Sequence, residues 1–582
     1  MSRRPSPSDR PIDTDRKRLR DAKVWEQMLW PAIVAVLACL WVGTEIDSAG
    51  GDPQLREGPG VTIDEVFNVQ EGVLFVAGLK AYGPLGLTHP DSIREIFGHL
   101  PDHPPLGRWW IGIVHDLVNA FRWDGSPEGQ FPDANVTSQF VINSARVAPV
   151  TAFGLLIVAI GTFTSRWYGQ VAGVLAAVSL LTFPRLVGHA HLAVLETFVT
   201  LTYTLAVLTA AELWGRGKNV SAEANPESTG PPGWRNHICV GVMFGLALLT
   251  KIQAVFLPIP LAIWTVWRWR TRAIVPLLAC WLVGGIVFFV GWPWLWLDPV
   301  GNAVAYFAST TERASLAVWY LGQQFADKSV PWHYPWVMSA VTIPVGTLGL
   351  ACYGIWLNRA TLRRPTREAL LLGNILFPLV VFSLPGVAVY DGVRLFLMVF
   401  PLLAVFVGFG ASRLWEIASN SHPHRVWQIA FVAFFAAQFS GLGMTTPCYL
   451  SYYNLIVGGP GGAESLGFET TYWGDSLTRS LLREVAERLP ADSELDVAPV
   501  LHPFQLQTLE EQCPALHNRR IHLLPYKNDS SQTSRPLLVF FRRSALPSEL
   551  RNLASQSQPT AAVRRGGATL AGFYTKPAIS GE

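Results

Sequence analysis

The chain has 582 residues, of which 50% are hydrophobic and only 15% charged, with 23 Trp, 31 Phe and a mean hydropathy of +0.27. This is too apolar for a soluble enzyme and describes an α-helical polytopic membrane protein. The formal net charge of +3 is a near balance of 45 basic and 42 acidic residues and gives no reason to expect nucleic acid as a partner.

Charge is unevenly placed along the chain. Eight Lys or Arg precede Trp25, so residues 1–26 read as a basic cytoplasmic tail. The first apolar run, 28–42, lacks a small-residue cleavage site and reads as a retained signal anchor. Apolar stretches of roughly 20 residues between polar breaks fall at 27–43, 146–164, 168–184, 192–213, 237–251, 253–268, 273–292, 335–357, 368–385, 395–412 and 427–444. These predict about eleven transmembrane helices. Arg166, then Arg216, Lys218 and Arg235, then Arg268, Arg270 and Arg272, then Arg359, Arg363, Arg364 and Arg367, and last Arg413 and Arg425 lie in alternate loops. The positive-inside bias therefore puts 44–145, 185–191, 293–334, 386–394 and 445–582 outside. The expectation is a multi-pass plasma (inner) membrane protein with a cytoplasmic N-terminus and an extracytoplasmic C-terminus.

The first outer loop, 44–145, is far longer than a connector requires, and its mixed character predicts helices along the membrane surface. It carries Asp64-Glu65 and His103-Pro104-Pro105-Leu106, with Trp109-Trp110 as an interfacial anchor. Carboxylates and a His beside a lipid phase suit proton or phosphate chemistry on a lipid-linked substrate. The plain alternative for Asp64 is the N-cap of a helix over 66–79. His189, His191 and Glu196 follow where an outer loop enters a span, and a carboxylate one turn inside is unfavourable without a polar cavity or partner. His191 is the expected partner. Lys251 sits at a span end on the same side. A second outer loop is rich in aromatics, among them Trp294, Trp296, Trp319, Tyr320, Trp332 and Tyr334, which suit either sugar stacking or a headgroup belt.

Beyond Thr445 the apolar runs shorten. Helices over 475–488 and 503–511, strands over 495–499, 521–524 and 537–541, a further helix and a last strand near Thr569 predict an extracytoplasmic α/β domain, 445–582. It has no phosphate loop, nucleophile elbow or metal-ligand spacing, so its expected part is assistance. Cys448 and Cys513 are the only cysteines in polar surroundings, and whether they pair is open.

Four motifs, Ile63-Asp64-Glu65, His103-Pro104-Pro105-Leu106-Gly107-Arg108, Gly245-Leu246-Ala247-Leu248-Leu249-Thr250-Lys251 and Tyr390-Asp391-Gly392-Val393-Arg394, together resemble the protein O-mannosyltransferase and aminoarabinose transferase superfamily. These are membrane glycosyltransferases of the GT-C fold, and the likeness covers about 25–445. The resemblance implies a GT-C transmembrane domain over 27–444. It further implies transfer, with inversion, of a sugar from a polyprenyl-phosphate donor to a glycan, lipid or protein acceptor.

By that resemblance Asp64 is the base and Glu65 its catalytic neighbour, holding the loop or the acceptor. His103, Arg108, Lys251 and Arg394 are the expected donor-phosphate ligands, because Arg binds two phosphate oxygens at once and Lys supplies a point charge. Tyr390, Asp391, His191 and Glu196 are expected to shape the pocket, although the family carries Asp where this chain has Glu196. No cofactor beyond the lipid-linked sugar is implied. Asp64 and Glu65 leave a divalent ion open, the expectation being that none is needed. The alternative reading is a multi-span transporter of a small or lipid-linked solute, which predicts two related halves with paired broken helices. No such symmetry is visible.

Overall fold

The computed structural model describes residues 12–52, 54–121, 140–215, 230–311, 314–527 and 535–575. Arg216, Lys218 and the side chains preceding Trp25, on which part of the charge pattern rests, lie outside the described residues.

Helix α1 (Ile12–Thr44) leads into the first loop, where α2 (Ile63–Gly86), α3 (Pro90–Phe97) and α4 (Leu106–Phe121) follow. The expected loop helices are therefore present. Helices α2 and α4 cross at Gly72 and Gly112, where a Cβ built on Gly112 would stand 1.9 Å from the Gly72 carbonyl oxygen. Only a pair of glycines permits this approach, and it fixes Arg108 relative to the start of α2.

Among the described residues five helical stretches are long and apolar enough to cross a membrane: Trp25–Thr44, Ile142–Tyr168, Ile252–Val290, Val399–Asn420 and His424–Thr445. Two bent pairs, Gln170–Thr182 with Pro184–Ala190 and Tyr334–Thr342 with Val345–Leu357, bring the figure to as many as seven. The molecule is thus a helical membrane protein. The other expected spans are largely helical but short, such as the 15-residue helices Trp234–Leu248 and Arg367–Val381. At about 1.5 Å per residue such a helix falls short of a hydrocarbon core about 30 Å thick. Ile259, Ile263, Leu278, Leu282 and Ile286 point outward from the longest stretch, an apolar surface suited to lipid.

The aromatic-rich segment holds a hairpin, β1 (Ala317–Tyr320) with β2 (Gln323–Ala326). Nearer the C-terminus, β3 (Glu494–Ala498), β4 (His522–Pro525), β5 (Leu537–Phe540), β6 (Ala561–Arg565) and β7 (Ala568–Tyr574) form one sheet in the order β4-β3-β5-β7-β6. Strand β3 runs parallel to β4 and β5, while β7 is antiparallel to β5 and β6. The unbroken apolar run Leu537-Leu538-Val539-Phe540 makes β5 the central strand, buried on both faces. Helix Arg479–Arg488 begins four residues later than expected, after Thr478 in extended conformation. Strand β6 was not anticipated, although Gly566-Gly567 is a two-residue hairpin signal.

The sheet region is tied back to the rest of the chain. Arg479 pairs with Asp47 at 2.9 Å, Gln505 donates to the Val61 carbonyl at 3.0 Å, and Gln512 donates to the Phe140 carbonyl at 2.7 Å. All six cysteines are free thiols, Cys448 and Cys513 included.

Candidate active site

Asp64 and Glu65 open α2 together, yet their side chains part at once. Thr62, not Asp64, occupies the N-cap, and Glu65 three residues on accepts from the Thr62 N–H at 3.0 Å and its hydroxyl at 2.9 Å. Glu65 also accepts two hydrogen bonds from Arg146, each 2.7 Å, and one from the Ala193 N–H at 2.9 Å. Arg146 donates its remaining N–H groups to the carbonyls of Ile46, Pro59 and Gly60. Both side chains are fully buried. Glu65 thereby joins the start of α2, the loop before it and the approach to helix Glu196–Leu213, and it does not line the cavity.

Asp64 turns the other way and keeps 24% of its side chain exposed, toward a cavity of about 100 Å³. Its carboxylate contacts the Arg394 guanidinium. Burial raises the Asp64 pKa above the ordinary aspartate value, against the opposing pull of Arg394. His103, Arg108, Lys251 and Arg394 line the same cavity, with Asn68 and Asp102 beside them. Of the expected catalytic and phosphate-binding residues, only Glu65 stands apart.

The cations are held by bonds that do not exhaust them. Arg394 donates from Nε to Glu196 Oε1 at 2.6 Å, from Nη1 to Asp391 Oδ2 at 3.2 Å, and from Nη2 to Asp64. Arg108 donates to Asn68 Oδ1 at 3.1 Å, to the Leu100 carbonyl at 2.7 Å and to Asp102 Oδ1 at 2.7 Å. A guanidinium carries five N–H groups, so two on each arginine have no acceptor among the described residues. Lys251 donates to Glu196 Oε1 at 2.5 Å, and its other two N–H groups have no acceptor among the described residues. Burial lowers the His103 pKa to about 4, leaving a neutral imidazole at pH 7 whose Nδ1 has no partner among the described residues.

Glu196 is buried and does face polar partners, as a buried carboxylate requires, but they are Lys251 and Arg394. His191 is not among them. Its Nδ1 lies 2.8 Å from the Val187 carbonyl and its ring stacks on Tyr449 with centroids 4.9 Å apart. The Tyr390 ring lies 5.8 Å from the Arg394 guanidinium carbon. Tyr334, from the aromatic-rich loop, accepts the Gly392 N–H on its hydroxyl at 3.0 Å.

Several residues around the site escaped the sequence reading. Arg146, Asn68 and Asp102 are ordinary polar residues without a motif, while Trp473 and Arg542 reach Asp391 from the sheet region. The one available signal was the run Glu469 to Thr478, polar and aromatic without a helical or strand period, which is entirely buried.

A half-buried carboxylate facing partly unpaired cations on a helical membrane bundle suits sugar transfer from a lipid phosphate. Residues 94–301 match the family model described as Dolichyl-phosphate-mannose-protein mannosyltransferase, which bears out the superfamily resemblance and argues against a transporter. That segment includes His103, Arg108, Glu196 and Lys251 and stops short of Asp64 and Arg394. No curated protein matches the chain. Among solved structures it is similar to ArnT from Cupriavidus metallidurans bound to undecaprenyl phosphate, at 15% identity over 94% of this chain and 99% of that one, with a TM-score of 0.46. It is also similar to the apo oligosaccharyltransferase of Archaeoglobus fulgidus, at 12% identity over 88% and 65% of the two chains, with a TM-score of 0.45. The likeness to AglB of the same organism, in complex with an inhibitory peptide and a dolichol-phosphate, is 11% over 89% and 70%, with a TM-score of 0.40.

Proposed function

We propose that this protein moves a sugar from a polyprenyl-phosphate donor to an acceptor hydroxyl at the outer membrane face, inverting the anomeric carbon. The observation that carries the reading is the single cavity in which Asp64 meets Arg394, Lys251 and Arg108. A hydroxyl is a poor nucleophile near neutral pH, so Asp64 takes its proton as the acceptor oxygen bonds to the anomeric carbon. The bond from that carbon to the phosphate oxygen breaks, and polyprenyl phosphate leaves with one more negative charge. The N–H groups still available on Arg108, Lys251 and Arg394 are the donors such a phosphate needs. His103 serves here as a neutral hydrogen-bonding group, and Glu65 acts by holding Asp64 in place.

The same reading takes 27–444 as a GT-C domain with about eleven spans, the tail 1–26 in the cytoplasm and 445–582 outside, as the charge bias of the loops supports. A protein, a lipid or a surface glycan is the acceptor.

The test is transfer of labelled sugar from defined polyprenyl-phosphate donors in membranes carrying wild type or Asp64→Asn. A general base typically contributes about 100- to 10,000-fold, and a loss of that order is expected. Undiminished transfer by correctly inserted Asp64→Asn would remove Asp64 as the base. Addition of a chelator is expected to leave the wild-type rate unchanged; loss of activity restored by a divalent metal would show that the reaction needs one.

A further inference from the structure

Asp391 lies outside the cavity lining and still determines how Arg394 enters it. The turn Asp391-Gly392 has both residues in the left-handed region, with φ of 56° and 67°. Gly392 is required there, because a Cβ would stand 2.3 Å from Nη1 of the buried Arg185. The Tyr334 hydroxyl holds the Gly392 N–H. Three cationic or N–H groups then converge on the Asp391 carboxylate: Arg394 at 3.2 Å, the Trp473 indole N–H at 2.9 Å and Arg542 Nη2 at 3.0 Å.

Trp473 does two things at once. While its N–H holds Asp391, its ring face lies 4.6 Å from the Arg394 guanidinium carbon, within cation–π range. Arg542 follows β5 and also donates to the Tyr472 carbonyl at 3.1 Å. The loop carrying it is pinned by Glu469, which accepts the N–H groups of Arg543 at 2.7 Å and Ser544 at 2.9 Å. Trp473 and Arg542 are 2% and 7% exposed.

The consequence follows from the preference of guanidinium for two-pronged carboxylate pairing. Left to itself, Arg394 would present its fork to Asp64, neutralising the base and consuming the N–H groups a phosphate needs. With Nη1 on Asp391 and one face covered by Trp473, it reaches Asp64 through Nη2 alone. We infer that Trp473 and Arg542 are positioning residues, through which the sheet region holds Arg394 in the orientation that leaves Asp64 competent and its own N–H groups open to the donor phosphate. This rests on the transferase reading above.

A double-substitution cycle tests it, with Trp473→Leu and Arg394→Lys singly and together. Alone, Trp473→Leu should lower kcat about tenfold while leaving the acceptor KM unchanged. Trp473→Phe, which keeps a ring over Arg394, should lose less than about threefold, and it supplies the comparison if Trp473→Leu folds poorly. In the Arg394→Lys background Trp473→Leu should cost little more, because the group it positions is gone. Full multiplication of the two losses would overturn the inference. The same cycle is read on binding of radiolabelled undecaprenyl phosphate. Coupled binding without transfer from any donor would sink the transferase reading and leave the clamp standing. Uncoupled or absent binding with transfer uncoupled or absent would sink the clamp.

Discussion

Two carboxylate–guanidinium contacts begin at adjacent residues, Asp64 and Glu65, and they differ in what they leave unused. The Glu65–Arg146 pair is fully buried, two-pronged at 2.7 Å, and every N–H of Arg146 has an acceptor. The Asp64–Arg394 contact is partly exposed to a cavity, single-pronged, and leaves two N–H groups of Arg394 without acceptors among the described residues. A saturated guanidinium has nothing to offer a substrate, so the first pair is architecture. An unsaturated one beside a cavity still has donors to offer.

The largest effect is expected at the saturated pair, Glu65–Arg146. Glu65→Gln leaves Arg146 as an uncompensated buried charge, which typically costs about 3–5 kcal/mol. The expected outcome is a large drop in the thermal midpoint of the detergent-solubilised protein, with loss of transfer as its consequence. A variant of wild-type stability that had lost transfer would instead make Glu65 a direct participant.

At the other half the effects should reverse. Arg394→Lys keeps the charge and surrenders the fork, and removal of one charge-stabilising donor typically costs about 100-fold in kcat. The thermal midpoint should move little, because the Lys ammonium keeps a positive charge among Asp64, Glu196 and Asp391. If Arg394→Lys unfolded the protein as Glu65→Gln does, the distinction between saturated and unsaturated pairs would fail.

A smaller, pH-dependent effect sharpens the part played by the sheet region. Burial raises the Glu469 pKa from the ordinary 4.5 to about 7. The folded state therefore keeps a proton that the unfolded state has lost, and stability should decline as pH rises from about 4.5 to about 7. Glu469→Gln should remove about 3 kcal/mol of that decline, read as a flatter thermal midpoint across the same window. An unchanged slope would remove Glu469 as its source.

Much of the site was legible because motifs record chemistry locally. Asp64, His103, Arg108, Lys251 and Arg394 were named from their motifs, and the cavity brings all five together although 330 positions separate the first from the last. Glu65 was named for the wrong neighbour, since an acidic pair in sequence says nothing about which carboxylate faces inward. His191 failed as the partner of Glu196 for a similar reason. Nearness in sequence stood in for nearness in space, while the true partners, Lys251 and Arg394, are 55 and 198 residues away. The sheet was legible strand by strand, except for β6.

What the sequence by itself determined is the apolar helical class, the loop helices, most strands of the small sheet and the residue types able to move a proton and hold a phosphate. These depend on composition, period and spacing along the chain. Only the tertiary structure decided that Asp64 and Glu65 serve opposite sides of one helix turn, that Arg146 is saturated and Arg394 is not, and that Trp473 and Arg542 reach the site. Hydrogen-bond satisfaction is a property of groups that meet in space, and the donors and acceptors concerned come from segments whose separation in the chain carries no record of their meeting.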